Sequence, residues 1–162
     1  MNKVAQVTFA FWIMKICATT LGETAGDLLS MTLNIGYALS SLLLLSLFLI
    51  SVVAQLRAKE FHPTLYWLVI LTTSTAGTTM SDFLDRSVGL GYAAGSLLLV
   101  TCLALTLLAW RLAVGTISVS RIDTRRAEVF YWVAILFSNT LGTALGDYLA
   151  DEIGRASRRE RV

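Results

Sequence analysis

The chain has 162 residues, is 56% hydrophobic and 15% charged, and has a mean hydropathy of +0.69. Soluble domains run nearer 45–50% apolar and about 25% charged, so the composition argues against a soluble domain, a disordered chain or a disulfide scaffold and for a polytopic membrane protein. The net charge of +2 is no sign of a basic partner surface, because residues 1–151 carry nine Lys/Arg and nine Asp/Glu and the excess arises in the last eleven residues. A membrane helix needs about 20 mostly apolar residues, and five segments qualify: 4–29, 35–56, 65–84, 88–110 and 129–149. The first holds Lys15, Glu23 and Asp27, which with its length argues against a cleaved signal peptide. The second and fourth carry no charge, whereas the third and fifth again carry carboxylates. Cys17 and Cys102 fall inside spans, where packing is the expected role. His62 is expected in a solvated loop, and Pro63 suits the first turn of the third span. Lys3, Arg57, Lys59, Arg111, Arg121, Arg125 and Arg126 fall on one side and Arg86 on the other, which predicts a cytoplasmic N-terminus.

The odd spans repeat one another without gaps. Counting each of Trp12, Trp67 and Trp132 as zero, Thr recurs at position 8, Gly at 10 and Asp at 15. The even spans open alike, with Gly36-Tyr37-Ala38 and Gly91-Tyr92-Ala93. The unit is one polar and one plain helix, so successive units keep the same orientation and form parallel repeats about an axis near the membrane normal. The repeats run over about 4–56, 63–112 and, as half a unit, 127–151.

These Trp-marked units resemble a bacterial family of uncharacterised membrane-anchored proteins with four tandem two-helix repeats of unknown function. The resemblance implies an all-α polytopic bundle, eight helices where this chain has five, and a bacterial inner-membrane location. Residues 152–162 break the pattern, with four Arg where an apolar helix is expected. That run resembles the translation of a short-read sequencing adapter, which has Cys where Arg158 stands. The expectation is therefore a chain cut near residue 152. The alternative is a basic tail for anionic lipid.

Positions 0, 4, 7, 8, 11, 15 and 18 share one helical face, and in all three repeats that face bears hydroxyls and ends near a carboxylate. The candidate ion or transport site is Glu23, Asp27, Asp82 and Asp147, with Thr20, Thr75 and Thr140 as weak ligands and Lys15 as counter-charge. Hard cations favour oxygen ligands, and ionisable groups inside a membrane are costly unless paired or hydrated. The bland alternatives are hydrated helix ends for the aspartates, a buried ion pair for Lys15 and Glu23, and interhelical glue for the hydroxyls. Gly22 and Gly26, Gly77 and Ser81, and Gly142 and Gly146 form small-residue ridges expected to pack the odd helices near the axis. Trp12, Trp67 and Trp132 read as interface anchors, and Tyr66 and Tyr131 beside two of them support that reading.

The sequence has no HExxH, GxSxG, Walker or CxxC pattern and a single loop His. The expectation is no enzyme, no cofactor and no nucleic acid, with the bilayer, a small cation or proton and further copies of the chain as partners. The metal question is left open. The leading function is transport of a small solute, most simply a cation or proton-coupled substrate. The alternative is a membrane scaffold or accessory subunit.

Overall fold

The computed structural model describes residues 4–119, 122 and 124–159, with backbone alone for 156–159. Lys3, Arg121 and the end of the tail from Glu160 lie outside the described residues. The protein is all-α: α1 Phe9–Asp27, α2 Tyr37–Arg57, α3 Pro63–Asp82, α4 Gly91–Val114 and α5 Arg125–Arg159. Among the described residues there is no strand.

Local chemistry sets the helix ends. The Phe11 amide donates to Thr8 Oγ1 at 3.2 Å, which caps α1. Pro63 occupies the first turn of α3, where its missing N–H costs nothing. Gly115 ends α4 in the left-handed conformation. The repeat is also written into the backbone. A π-helical turn follows Asp27 (Leu28–Thr32) and another follows Asp82 (Phe83–Ser87), and each closes on a wide bond, Leu33 N to Leu28 O at 2.8 Å and Val88 N to Phe83 O at 2.9 Å. The chain then turns into the even helix through Gly36 or Gly91, at φ of 87° and 73°. A side chain is disfavoured at such φ values, which accounts for the recurring Gly-Tyr-Ala.

Among the described residues, three helices are long and apolar enough to cross a membrane by themselves: Tyr37–Arg57, Gly91–Val114 and residues 125–155 of α5. The sequence suggested five. α1 and α3 fall short because their hydroxyls and charges lower the hydropathy. α3 meets this by burial, with every residue from Thr72 to Thr79 inside the bundle. Helix α5 also runs on beyond the expected end of its span at 149, and Arg155 pairs there with Asp151 at 2.6 Å and Glu152 at 3.6 Å.

α3 is the centre of the bundle, with α1, α2 and α5 all packed on it, and α4 packs on α5. Each even helix therefore lies against the odd helix of the following repeat. α2 and α4 turn leucines outward, among them Leu42, Leu49, Leu97 and Leu105. This apolar coat suits lipid.

One end of the bundle is aromatic. Tyr66 and Tyr131 occupy the same repeat position, are both buried, and share a hydrogen bond at 2.9 Å. Trp132 is 1% exposed and packs on both tyrosines, with ring centroids 5.6 and 4.9 Å away. Trp67 is half-buried beside Phe11, and Trp12 is exposed. The three tryptophans thus have three different surroundings, and protein encloses Trp132. Arg125 reaches across this end to the Leu56 carbonyl at 3.4 Å.

Candidate functional site

The odd helices meet through their small residues. A β-carbon at Gly22 would stand 2.7 Å from Ser74 Cβ, and one at Gly77 would stand 3.0 Å from the Thr140 amide. Both contacts join position 10 of one repeat to position 7 or 8 of the next. Backbones this close leave no room for larger side chains. Hydroxyls add bonds between helices: Ser74 Oγ donates to the Thr19 carbonyl at 3.1 Å, Ser41 Oγ donates to that of Thr79 at 2.7 Å, and Ser51 and Thr72 share a bond at 2.9 Å.

A cavity of about 260 Å³ lies between α1, α3 and α5. Its polar lining comes in tiers. Thr19, Ser74 and Asn139, all at position 7, form one; Glu23, Thr78 and Thr143, all at position 11, form the next. Thr78 and Thr143 touch at 3.4 Å. Asp147, at position 15, lines the cavity one turn further on. Equivalent residues from three repeats thus surround a common space. The threonines at position 8 do not line it. Thr75 and Thr140 are buried in the helix contacts and donate to their own helix, to the Leu71 and Leu136 carbonyls at 2.8 and 2.9 Å. Thr20 is exposed on α1.

The position-15 aspartates converge on Arg86. Its Nε lies 3.0 Å from Asp82 Oδ1, and a terminal nitrogen lies 3.6 Å from Asp147 Oδ2. The guanidinium also donates to the Tyr37 hydroxyl at 3.1 Å and lies over that ring. Asp27 is within electrostatic reach of both Asp147 and Arg86. A carboxylate at a helix C-terminus opposes the helix dipole, and one arginine offsets this for several repeats at once. Burial works against the charged guanidinium, but Asp82, the bond to the Tyr37 hydroxyl and the nearby Tyr37 and Tyr92 together outweigh it and raise the pKa of Arg86. Sequence reasoning missed Arg86 and Tyr37, although the four-residue step from Asp82 to Arg86 was an available signal.

Lys15 and Glu23 are not brought together. Lys15 Nζ is buried without a hydrogen-bond partner among the described residues, whereas Glu23 is exposed to the cavity.

Asp85 is a second unanticipated carboxylate. It is 8% exposed, neither oxygen has a well-formed hydrogen bond among the described residues, and the Ser81 hydroxyl lies near it. Burial, and after it the Asp147 carboxylate, push the Asp85 carboxyl above the usual range. Its Oδ1 occupies the place a β-carbon would take at Gly95. The equivalent positions of the first repeat hold Ser30 and Ser40, so a large–small pair has replaced a medium–medium one. Gly95→Ser is therefore expected to destabilise the bundle by about 1–3 kcal/mol through overpacking. Adding Asp85→Ser should restore most of that loss. Thermal unfolding of the two variants in detergent checks it, and equal loss in both would refute the pairing.

Residues 10–61, 65–116 and 130–156, about four-fifths of the chain, match a family described as Repeat of Unknown Function. Nothing among curated proteins or solved structures matches the chain. The matched segments coincide with the Trp-marked units whose polar positions line the cavity. The chain belongs to this family of tandem repeats of unknown function, DUF347.

Proposed function

We propose that the protein is a multi-pass membrane permease for a small solute, a cation or a proton-coupled substrate, which moves along the space between α1, α3 and α5. The observation that carries this reading is the tiered cavity, where three repeats contribute the same positions around one axis. Simple helix glue has no need of such a space. The chemistry suits a cation. Glu23 and Asp147 line the path, Asp27, Asp82 and Asp85 lie at its acidic end, and Arg86 opposes them there. Hydroxyl and amide oxygens complete a hard-ligand set. In this reading the aromatic end and the N-terminus face the cytoplasm of a bacterial inner membrane, an orientation that the basic loops support. No enzymatic step and no cofactor enters this reading.

A second reading is a scaffold or accessory subunit. The hydroxyl bonds that tie α2 to α3 and α3 to α1 favour it, since there the polar groups act as glue. Flux into sealed vesicles bearing the purified chain separates the two. Uptake of a monovalent cation or acidification of the lumen, above that of empty vesicles, is expected of the permease. A folded chain that passes neither favours the scaffold.

A further inference from the structure

Asp85 stands at position 18 of the second repeat, in the π-helical turn between α3 and α4, with both carboxyl oxygens buried. Its Oδ1 is seated against Gly95 of α4. The neighbouring Arg86 turns away to Asp82 and Asp147, at 3.0 and 3.6 Å. Around Asp85 the described charged groups are those two carboxylates, Asp82 ending α3 and Asp147 on α5, and Arg86 itself. α2 and α4 add Tyr37 and Tyr92, both near Arg86. Repulsion from Asp147 outweighs attraction from Arg86. A buried carboxyl in such surroundings avoids the cost of its charge by keeping its proton. The first repeat shows what position 18 favours. Ser30 is buried there, and its hydroxyl donates to the Gly26 carbonyl, four residues back, at 2.9 Å. A protonated Asp85 is likewise a neutral hydroxyl donor, and Ser81, four residues back, lies beside it.

We infer that Asp85 is a proton-binding site, protonated in this fold, and that the permease exchanges this proton for a cation in the cavity. The exchange rests on the permease reading, whereas the proton site rests on burial and packing alone. Asp147 links the two, because it lines the cavity and is within electrostatic reach of Asp85. A proton leaving Asp85 puts a second negative charge near Asp147, which strengthens cation binding in the cavity. By linkage, a cation in the cavity favours release of the proton to the same extent. Ion and proton therefore oppose one another through Asp147, as an exchanger requires.

Asp85→Asn keeps the size of the side chain and removes its titration. Asp85→Ser with Gly95→Ser, which copies Ser30 and Ser40 of the first repeat, serves if the Asn variant does not fold. In infrared spectra of the purified protein at neutral pH, the carbonyl stretch of a protonated carboxyl is expected in the wild type and is expected to be lost in the variant. A variant that removes no such band overturns the inference. The pH dependence of stability has a definite sign. A carboxyl held above its ordinary value binds more protons in the folded chain than in the unfolded one, so its contribution is full below about pH 4 and is lost as pH rises. Asp85→Asn should therefore gain thermal stability on the wild type as pH rises from there. A variant that falls behind instead, as for an ionised and paired carboxylate, overturns the proton site. Sodium or potassium added to sealed vesicles should drive protons out of the lumen, at least tenfold more slowly in Asp85→Asn. Unchanged proton movement in a variant that has lost the band overturns the exchange. Wild-type vesicles that move no proton count against the permease and the exchange with it, while the band and the slope still decide whether Asp85 holds a proton.

Discussion

Arg86→Met is expected to lower the stability of the bundle by roughly 2–3 kcal/mol. Asp82 is 2% exposed and its nearest cation is the Arg86 Nε at 3.0 Å. Removing one partner of a buried ion pair strands the other charge, which costs about 3–5 kcal/mol in a fully buried setting. The arginine side chain is 37% exposed, so water screens part of that cost. Asp147 would also lose its counter-ion, and Tyr37 its donor. Adding Asp82→Asn removes the stranded charge and should recover most of the loss. Unfolding of both variants in detergent gives the comparison. If the single change is neutral, Arg86 does not hold the acidic end together.

Glu23→Gln should reduce flux at least tenfold without lowering the amount of protein in the membrane. The side chain is exposed to the cavity and makes no hydrogen bond or ion pair among the described residues, so the neutral isostere removes charge and leaves packing alone. The equivalent positions in the other repeats are Thr78 and Thr143, so Glu23 supplies the single carboxylate of its tier. A mid-membrane carboxylate with no structural partner is expected to serve an ion path. Vesicle uptake beside a membrane immunoblot makes the check. Parallel loss of abundance and flux would mean that Glu23 supports the fold.

Much of this architecture is legible in the sequence because the repeat is strict. The recurrence of Trp, Thr, Gly and Asp marks the odd helices, and the small residues at position 10 identify the helix contacts at Gly22 and Gly77. The convergence of Asp82 and Asp147 follows from their shared register. Other features depend on three dimensions. Positions 7 and 8 are about 100° apart on a helix, so a broad polar face cannot tell which threonines line a cavity and which pack. Position 7 turned inward, and Thr75 and Thr140 were taken up by neighbouring helices. The four-residue step from Asp82 points to Arg86, but its reach across to Asp147 does not follow from a face count, because Arg86 sits in a π-helical turn where the ordinary helical phase is lost. The different surroundings of Trp12 and Trp132 depend on how many helices flank each one. Identical repeats at the edge and in the middle of a row do not share an environment.

The central claim is that the tiered cavity is wet. Asn139→Cys, in a chain lacking Cys17 and Cys102, places a thiol in the first tier, and Leu105→Cys places one on the outward face of α4. Charged, membrane-impermeant thiol reagents react with ionised thiol in water and not in lipid. Labelling of Asn139→Cys at least tenfold faster than Leu105→Cys, in intact membranes, is the result the account predicts. Equal, negligible labelling at both positions would mean a dry, packed seam between the odd helices and would contradict it.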